Sequence, residues 1–381
     1  FKQPAVVGEI IAGIILGPTI MGMISPDFFE FMFRSNPSAN LALDGIVQMA
    51  VILLLFIAGL EVELHLVWAQ GKSAVSISLL GLIIPFVLGF IFPYFFPAFF
   101  GLAEGSQLLF SLFMGTAMSI TALPVVVRIL MDMNLFKTKM GMVIVAGAMV
   151  NDIIGWLIFS VILSFMGKSG NLSLISTIGI TLLFTVFMLT VGKGLLNKVL
   201  PWTNKKLAWP GGVLSLSMAF CFMLAAFTEW LGIHAIFGAF LFGVALGDSD
   251  HLSEKAKEII HQFINNIFAP LFFVSIGLKI NFFTNFDIWL VLAIIIISFA
   301  GKIIGSGYGA LISGYAKMDA LAVGFGMNAR GAMEIILGLI ALENGLIDEK
   351  LFVALVVMAL VTSMTSGPLM KWALKKKAAA S

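Results

Sequence analysis

The sequence predicts an all-α polytopic membrane protein, and three observations carry that prediction. Hydrophobic residues make up 60% of the 381, charged residues only 11%, and mean hydropathy is +1.08. Soluble domains run at about 45–50% apolar and about 25% charged. Apolar runs of the length a helix needs to cross a bilayer, about 20 residues, occur twelve times. The two halves of the chain also carry related glycine motifs. Such a composition has no polar skin to cover a soluble core of this size. Soluble enzymes, secreted disulfide scaffolds and disordered chains are therefore excluded. A net charge of +2 leaves no footprint for nucleic acid. Cys221 is the lone cysteine, so no internal disulfide or cysteine-based metal cluster forms. His65, His234, His251 and His261 lack zinc-ligand spacing.

The runs follow in order. Ala5–Ile24 opens directly after Phe1-Lys2-Gln3-Pro4, without the charged region of a signal peptide. Ile46–Trp68 and Ser73–Pro97 are separated by Gly71 and Lys72. Gln107–Met131 contains Ser119-Ile-Thr121-Ala-Leu-Pro124; an interior proline removes a helix hydrogen bond, so a kink or break is expected there. Thr138–Met166 carries Asn151-Asp152 in an apolar setting. Leu172–Leu200 and Gly211–Trp230 follow. Ile233–Gly247 is short for a span, hence tilted or broken. His261–Leu278 and Phe286–Ile312 come next, the latter with Lys302 in its interior. Asp319–Asn344 holds Gly324, Gly326, Asn328 and Arg330 at midspan, which argues for an unwound stretch. Leu351–Lys371 is the last run, before a basic tail with Lys375, Lys376 and Lys377.

Lysine and arginine in the connections set the orientation. Connections after even-numbered runs, with the two ends, collect sixteen of them, from Lys2 and Lys72 to Lys317 and Lys371. The other side holds four: Arg34, Lys168, Lys279 and Lys350. Phe1 and Ser381 are thus expected on the cytoplasmic side. Within the first run, Gly8, Gly13 and Gly17 are spaced as Gly238, Gly243 and Gly247 are in the eighth. Phe56-Ile-Ala-Gly59-Leu60 matches Val274-Ser-Ile-Gly277-Leu278 in the run that follows each. Partners lie seven runs apart, and consecutive spans alternate direction, so the repeats are inverted. Inverted repeats mark secondary transporters, with substrate sites at broken helices near the midplane.

Ionisable groups inside a span each cost at least ~2.5 kcal/mol, so each needs a reason. Glu9 lies near a run's end, within reach of the interface. Asp152 sits mid-run with apolar residues on both sides. Low dielectric favours its neutral form unless a cation sits beside it, which suits a group that exchanges a proton for a cation. Asn151 offers a hard carbonyl oxygen beside it. The hydroxyls of Ser119 and Thr121, at the proline break, are further oxygens. Arg330 and Glu334 are four apart and read as an intrahelical ion pair rather than as cation ligands. Lys302 needs a partner, either Asp152 or a carbonyl of a broken helix.

Gly8-Glu-Ile-Ile-Ala-Gly-Ile-Ile-Leu-Gly-Pro18, the Asn151-Asp152 pair, Lys302 and Asn328-Ala-Arg-Gly-Ala-Met-Glu334 together resemble the monovalent cation:proton antiporters. The nearer branch holds NapA, the Kef potassium antiporters and the plant cation/proton exchangers, and the resemblance covers the whole chain. It implies the NhaA-like fold: thirteen helices, as two inverted six-helix units and a linker helix, with two crossed broken helices. On that plan the twelve runs lack a first helix. Residues 1–381 form one transporter domain, with 1–166 the first repeat, 172–200 the linker and 211–374 the second repeat. The resemblance implies a homodimer and elevator-like movement of a core domain. It makes Asp152 the ion- and proton-binding carboxylate and Thr121 the threonine of the broken fourth helix. Lys302 matches the lysine that pairs with an acidic site in electrogenic members.

Three departures stand out. Asn151 replaces the first carboxylate of an Asp-Asp pair, Ala122 stands where an Asp often follows the threonine, and no nucleotide-binding domain follows Lys371. With one titratable carboxylate fewer, charge counting favours one cation for one proton, although Lys302 keeps an extra proton carrier available. The expected function is sodium or potassium/proton antiport at a plasma (inner) membrane. Asp152 would bind either ion or proton, with Asn151, Thr121 and Ser119 completing the oxygen shell. Lys302, Arg330 and Glu334 would supply supporting charge. The expected partners are the bilayer, the transported ions and a second copy, with no nucleic acid. No cofactor is implied, since the glycines lie inside apolar helices and form no Walker loop. The alternative is a cation-coupled symporter of an organic solute on the same fold, which needs a wider polar cavity at the crossing. A passive channel would need a continuous polar path.

Overall fold

The structure, a computed structural model, describes residues 5–33, 35–62, 64–102, 106–166, 174–206, 210–249 and 251–380. The expectations placed on Phe1-Lys2-Gln3-Pro4, Arg34, Lys168, Leu172 and Ser381 lie outside the described residues. Among the described residues every regular element is a helix. In chain order they are α1 (Ala5–Leu16), α2 (Met21–Ile24), α3 (Pro26–Phe33), α4 (Pro37–Leu60), α5 (Leu64–Phe95), α6 (Gln107–Ser119), α7 (Leu123–Asp132) and α8 (Lys139–Met166). Then come α9 (Leu174–Phe187), α10 (Lys193–Lys206), α11 (Gly211–Trp230), α12 (Ala235–Gly247) and α13 (Glu254–Lys279). The last four are α14 (Ile288–Ile312), α15 (Lys317–Met327), α16 (Ala332–Glu343) and α17 (Glu349–Ala380).

Nine stretches among the described residues are long and apolar enough to cross a membrane, or ten if the bent pair α15 and α16 counts as one. The first and eighth runs of the sequence appear as the shorter apolar stretches Gly8–Ile24 and Ala235–Gly247. Span starts carry caps that satisfy orphan amides. Asn36 Oδ1 accepts from Ser38 N and Ala39 N ahead of α4, and Asp287 Oδ1 accepts from Trp289 N and Leu290 N ahead of α14. A π-helical turn, Met188–Gly192, joins α9 to α10.

The chain divides into two compact units, each drawn from both halves of the sequence. The first comprises Phe1–Glu63 and Leu163–Thr284. Here α1 packs on α13, and α4 on α12 and α13. In a membrane the solvent is as apolar as the side chains, so helices associate through close packing of small residues. Gly13 and Gly277 meet backbone to backbone, and a Cβ on either would run into the other helix. Lys193 pairs with Asp248 at 2.7 Å, and Lys279 with Asp44 at 2.7 Å.

The second unit comprises Leu64–Ile162 and Asn285–Ser381. Its longest contact runs between α5 and α14. Gly301, Gly305 and Gly309 recur every four residues and form one stripe on α14. They face Pro85, Leu80 and Ile77 of α5. The same spacing leaves Lys302 beside that seam. Towards the end of α17, Lys377 Nζ reaches both carboxylate oxygens of Asp319 in the first turn of α15, at 3.0 and 2.7 Å.

Candidate functional site

The second unit contains two interrupted helices. Helix α6 stops at Ser119; Ile120 (φ −69°, ψ 151°) and Ala122 (φ −76°, ψ 101°) are extended, and α7 restarts at Leu123. Pro124 falls in the first turn of α7, where its missing N–H leaves no bond unmade. The proline thus begins a second half-helix. The other interruption lies between Met327 and Ala332, where α15 and α16 bend by 45°. Its backbone is non-helical at Gly331.

The two breaks are bonded to each other. Thr121 Oγ1 donates to Met327 O at 2.9 Å, and Ala122 N donates to Ala329 O at 2.9 Å. Ser119 Oγ donates to Thr116 O at 2.9 Å. Both hydroxyls spend their proton on a carbonyl, so their oxygen lone pairs stay available to a cation. Thr121, Ser119, Asn151 and Asp152 are all buried.

A helix end exposes carbonyls or amides that carry the dipole's partial charge. At the C-terminal end of α6, Arg330 Nη1 donates to Ala117 O at 2.7 Å and Nη2 donates to Met118 O. At the N-terminal end of α16, Gly331 N donates to Glu334 Oε2 at 2.9 Å. Arg330 Nη1 and Glu334 Oε1 lie 3.3 Å apart, and both side chains are fully buried. Ser363 Oγ of α17 holds Arg330 O. Two opposite half-helix ends are therefore neutralised by an arginine and a glutamate that also neutralise each other.

Helix α8 passes both breaks. Gly155 meets Ile120 of the first, and Gly147 faces the Met327 side chain of the second, 3.7 Å from its Sδ to the position of a Cβ. Asp152 lies between these glycines in the chain and is 1% exposed.

Of the two partners expected for Lys302, Asp152 or a carbonyl of a broken helix, the lysine takes a backbone carbonyl, that of a proline-opened turn in α5. Its Nζ donates to Gly81 O of α5 at 2.9 Å. A helix carbonyl normally accepts from the N–H four residues on, which for Gly81 is Pro85. Proline has no N–H, so α5 leaves this carbonyl open and the lysine takes it. The second partner is Asn151. One orientation of its amide satisfies both ends: Nδ2 donates to Ser78 Oγ (2.8 Å) and Ser78 O (2.9 Å), and Oδ1 accepts from Lys302 Nζ at 3.0 Å. The Asn151 oxygen is thus engaged by the lysine rather than turned wholly to an ion. Gly81, Pro85 and Ser78 were not singled out in the sequence. The readable signal was Pro85 itself, because any interior proline marks an open carbonyl four residues earlier.

Among the described residues no group of three His, Cys, Asp or Glu side chains comes together. Asp152, Asn151, Thr121 and Ser119 offer a carboxylate, an amide and two hydroxyl oxygens, all hard ligands.

The chain is similar to several known proteins. The profile of the transmembrane sodium/hydrogen exchanger family matches residues 1–376. The chain is 35% identical to cation/H+ antiporter 17 of Arabidopsis thaliana, over 97% of its own length but 45% of that protein's. It is 32% identical to the Na+/H+ antiporter NhaS4 of Synechocystis, over 97% of this chain and 90% of that one. It is 30% identical to the Na+/H+-K+ antiporter GerN of Bacillus cereus, with the same coverages. The solved structure of the sodium proton antiporter MjNhaP1 from Methanocaldococcus jannaschii has the same fold, with a TM-score of 0.64 at 17% identity over 98% of this chain and 91% of that one.

Proposed function

The chain belongs to the sodium/hydrogen exchanger family, membrane transporters rather than enzymes, and from that premise we propose that it exchanges sodium or potassium for protons by secondary antiport. The carrying observation is the buried Asp152 on the helix that passes both breaks. Arg330 serves α6 and Glu334, and Lys302 serves Gly81 and Asn151. One carboxyl that holds either a proton or a partly dehydrated cation, never both, couples the two fluxes. Thr121 and Ser119 supply further oxygens to the ion.

A stoichiometry of one to one is part of the proposal. Lys302 is held by a carbonyl and an amide, both neutral, and position 151 adds no second carboxylate. Inverted repeats over 1–166 and 211–374 are supported by the build of the second unit. Each half contributes a long helix, a broken one and another long helix: α5, α6 with α7, and α8; then α14, α15 with α16, and α17. Elevator-type access, with that unit carrying the ion, a homodimeric assembly and a plasma-membrane location with a cytoplasmic C-terminus complete the proposal.

The test is proton movement in proteoliposomes under an imposed pH gradient, with sodium, potassium or lithium added. Wild type should collapse the gradient in a cation-dependent way, equally with and without a voltage clamp. Asp152→Asn should fall to the level of protein-free vesicles. A variant that still exchanges would remove Asp152 from the mechanism, and uptake of an organic solute with the cation would favour the symporter.

A further inference from the structure

We propose that Asn328 is a ligand of the transported cation, contributed by the second broken helix, and that it helps set ion selectivity. The inference rests on the antiport reading above. Asn328 is fully buried, and among the described residues neither Oδ1 nor Nδ2 has a hydrogen-bond partner. Its backbone caps α15, with N–H directed to Phe325 O at 3.3 Å. The residues on either side are both fixed to the first break. Met327 O receives the Thr121 hydroxyl, and Ala329 O receives the Ala122 amide, each at 2.9 Å. The asparagine is therefore held where the two breaks cross, in the same contact that holds Thr121.

Chemistry selects the ligand. A buried amide left without a partner is unfavourable, and native structures keep such groups where a ligand completes them. The other polar groups of the crossing have defined work: Arg330 and Glu334 cap half-helices, Thr121 and Ser119 donate to carbonyls, and Asn151 joins Ser78 to Lys302. The amide oxygen of Asn328 is left as a neutral, hard donor. Together with the carboxylate of Asp152, such an oxygen would suit a monovalent ion that has shed part of its water. It adds coordination without adding charge, so it tunes which ion is held and not how many protons are exchanged.

The experiment compares wild type with Asn328→Leu, a near-isosteric apolar side chain, in the same proteoliposomes. The readouts are the cation concentration for half-maximal exchange, for sodium, potassium and lithium, and the cation-induced rise in Tm in detergent. The expected result is a half-maximal concentration raised roughly tenfold or more, or a sodium-to-potassium preference changed by that factor, with exchange at saturating cation largely kept. The Tm rise at a given cation concentration should shrink correspondingly. Unchanged concentrations and an unchanged Tm rise, within about twofold, would overturn the assignment and leave Asn328 a structural cap. If Asn328→Leu does not fold, Asn328→Ser is judged by the same criteria. Wild type without cation-dependent proton flux would instead sink the antiport reading, and the Tm comparison still decides whether Asn328 binds the ion.

Discussion

Lys302 shows how a charge inside a membrane is held by neutral hydrogen-bond acceptors. It occupies a carbonyl that Pro85 leaves open and an amide oxygen that Ser78 orients. Lys302→Met strands both acceptors in a buried site, which costs about 1–3 kcal/mol. A melting curve in detergent should register that loss, and Lys302→Gln, which can still donate, should recover part of it. Asn151→Asp acts differently. It gives the lysine a carboxylate and the site a second titratable group, so exchange should begin to respond to membrane potential. An exchange rate that stays indifferent to a potassium–valinomycin clamp would show that the residue at 151 does not set the proton count. Asp152 and Lys302 stood out in the sequence because ionisable residues are rare in apolar runs. Gly81, a partner of Lys302, did not, because it is 221 positions away and looks like any helix glycine.

Helix ends explain the other buried charges. Arg330 is held by the last carbonyls of α6 and by Glu334, which caps α16. Removing one member of a buried pair leaves the other uncompensated, at about 3–5 kcal/mol. Arg330→Ala should therefore lower Tm strongly, and the variant that combines it with Glu334→Gln should lose far less than the two single losses summed. Pro85 is the corresponding device in α5. Pro85→Ala returns an N–H to Gly81 O and competes with Lys302, so its effect and that of Lys302→Met should not add. A double-mutant cycle should show a coupling of about 0.5–3 kcal/mol. The sequence exposed both breaks, one through Pro124 and one through glycines with an arginine at midspan. It did not expose the bonds that tie them, which depend on residues 206 positions apart.

At the scale of the molecule, composition alone was enough for a multi-pass helical protein, because apolar content responds to the bilayer and not to details of packing. The division into two units was not legible, since each unit takes segments from both halves and one boundary, between Ile162 and Leu163, falls inside the continuous apolar helix α8. The uneven distribution of lysine and arginine yields a direct test. In a Cys221→Ser background, Lys350→Cys should react with a membrane-impermeant maleimide applied to intact cells, and Lys255→Cys should not. The reverse pattern would invert the proposed orientation. The open carbonyl of α5 has a consequence in heredity as well. A proline and a lysine that lie far apart in the chain serve one hydrogen bond, so selection acts on them as a single trait. Lineages that lose the lysine no longer need the proline, and those that lose the proline should soon replace the lysine, so the two ought to disappear together along the branches of the family tree.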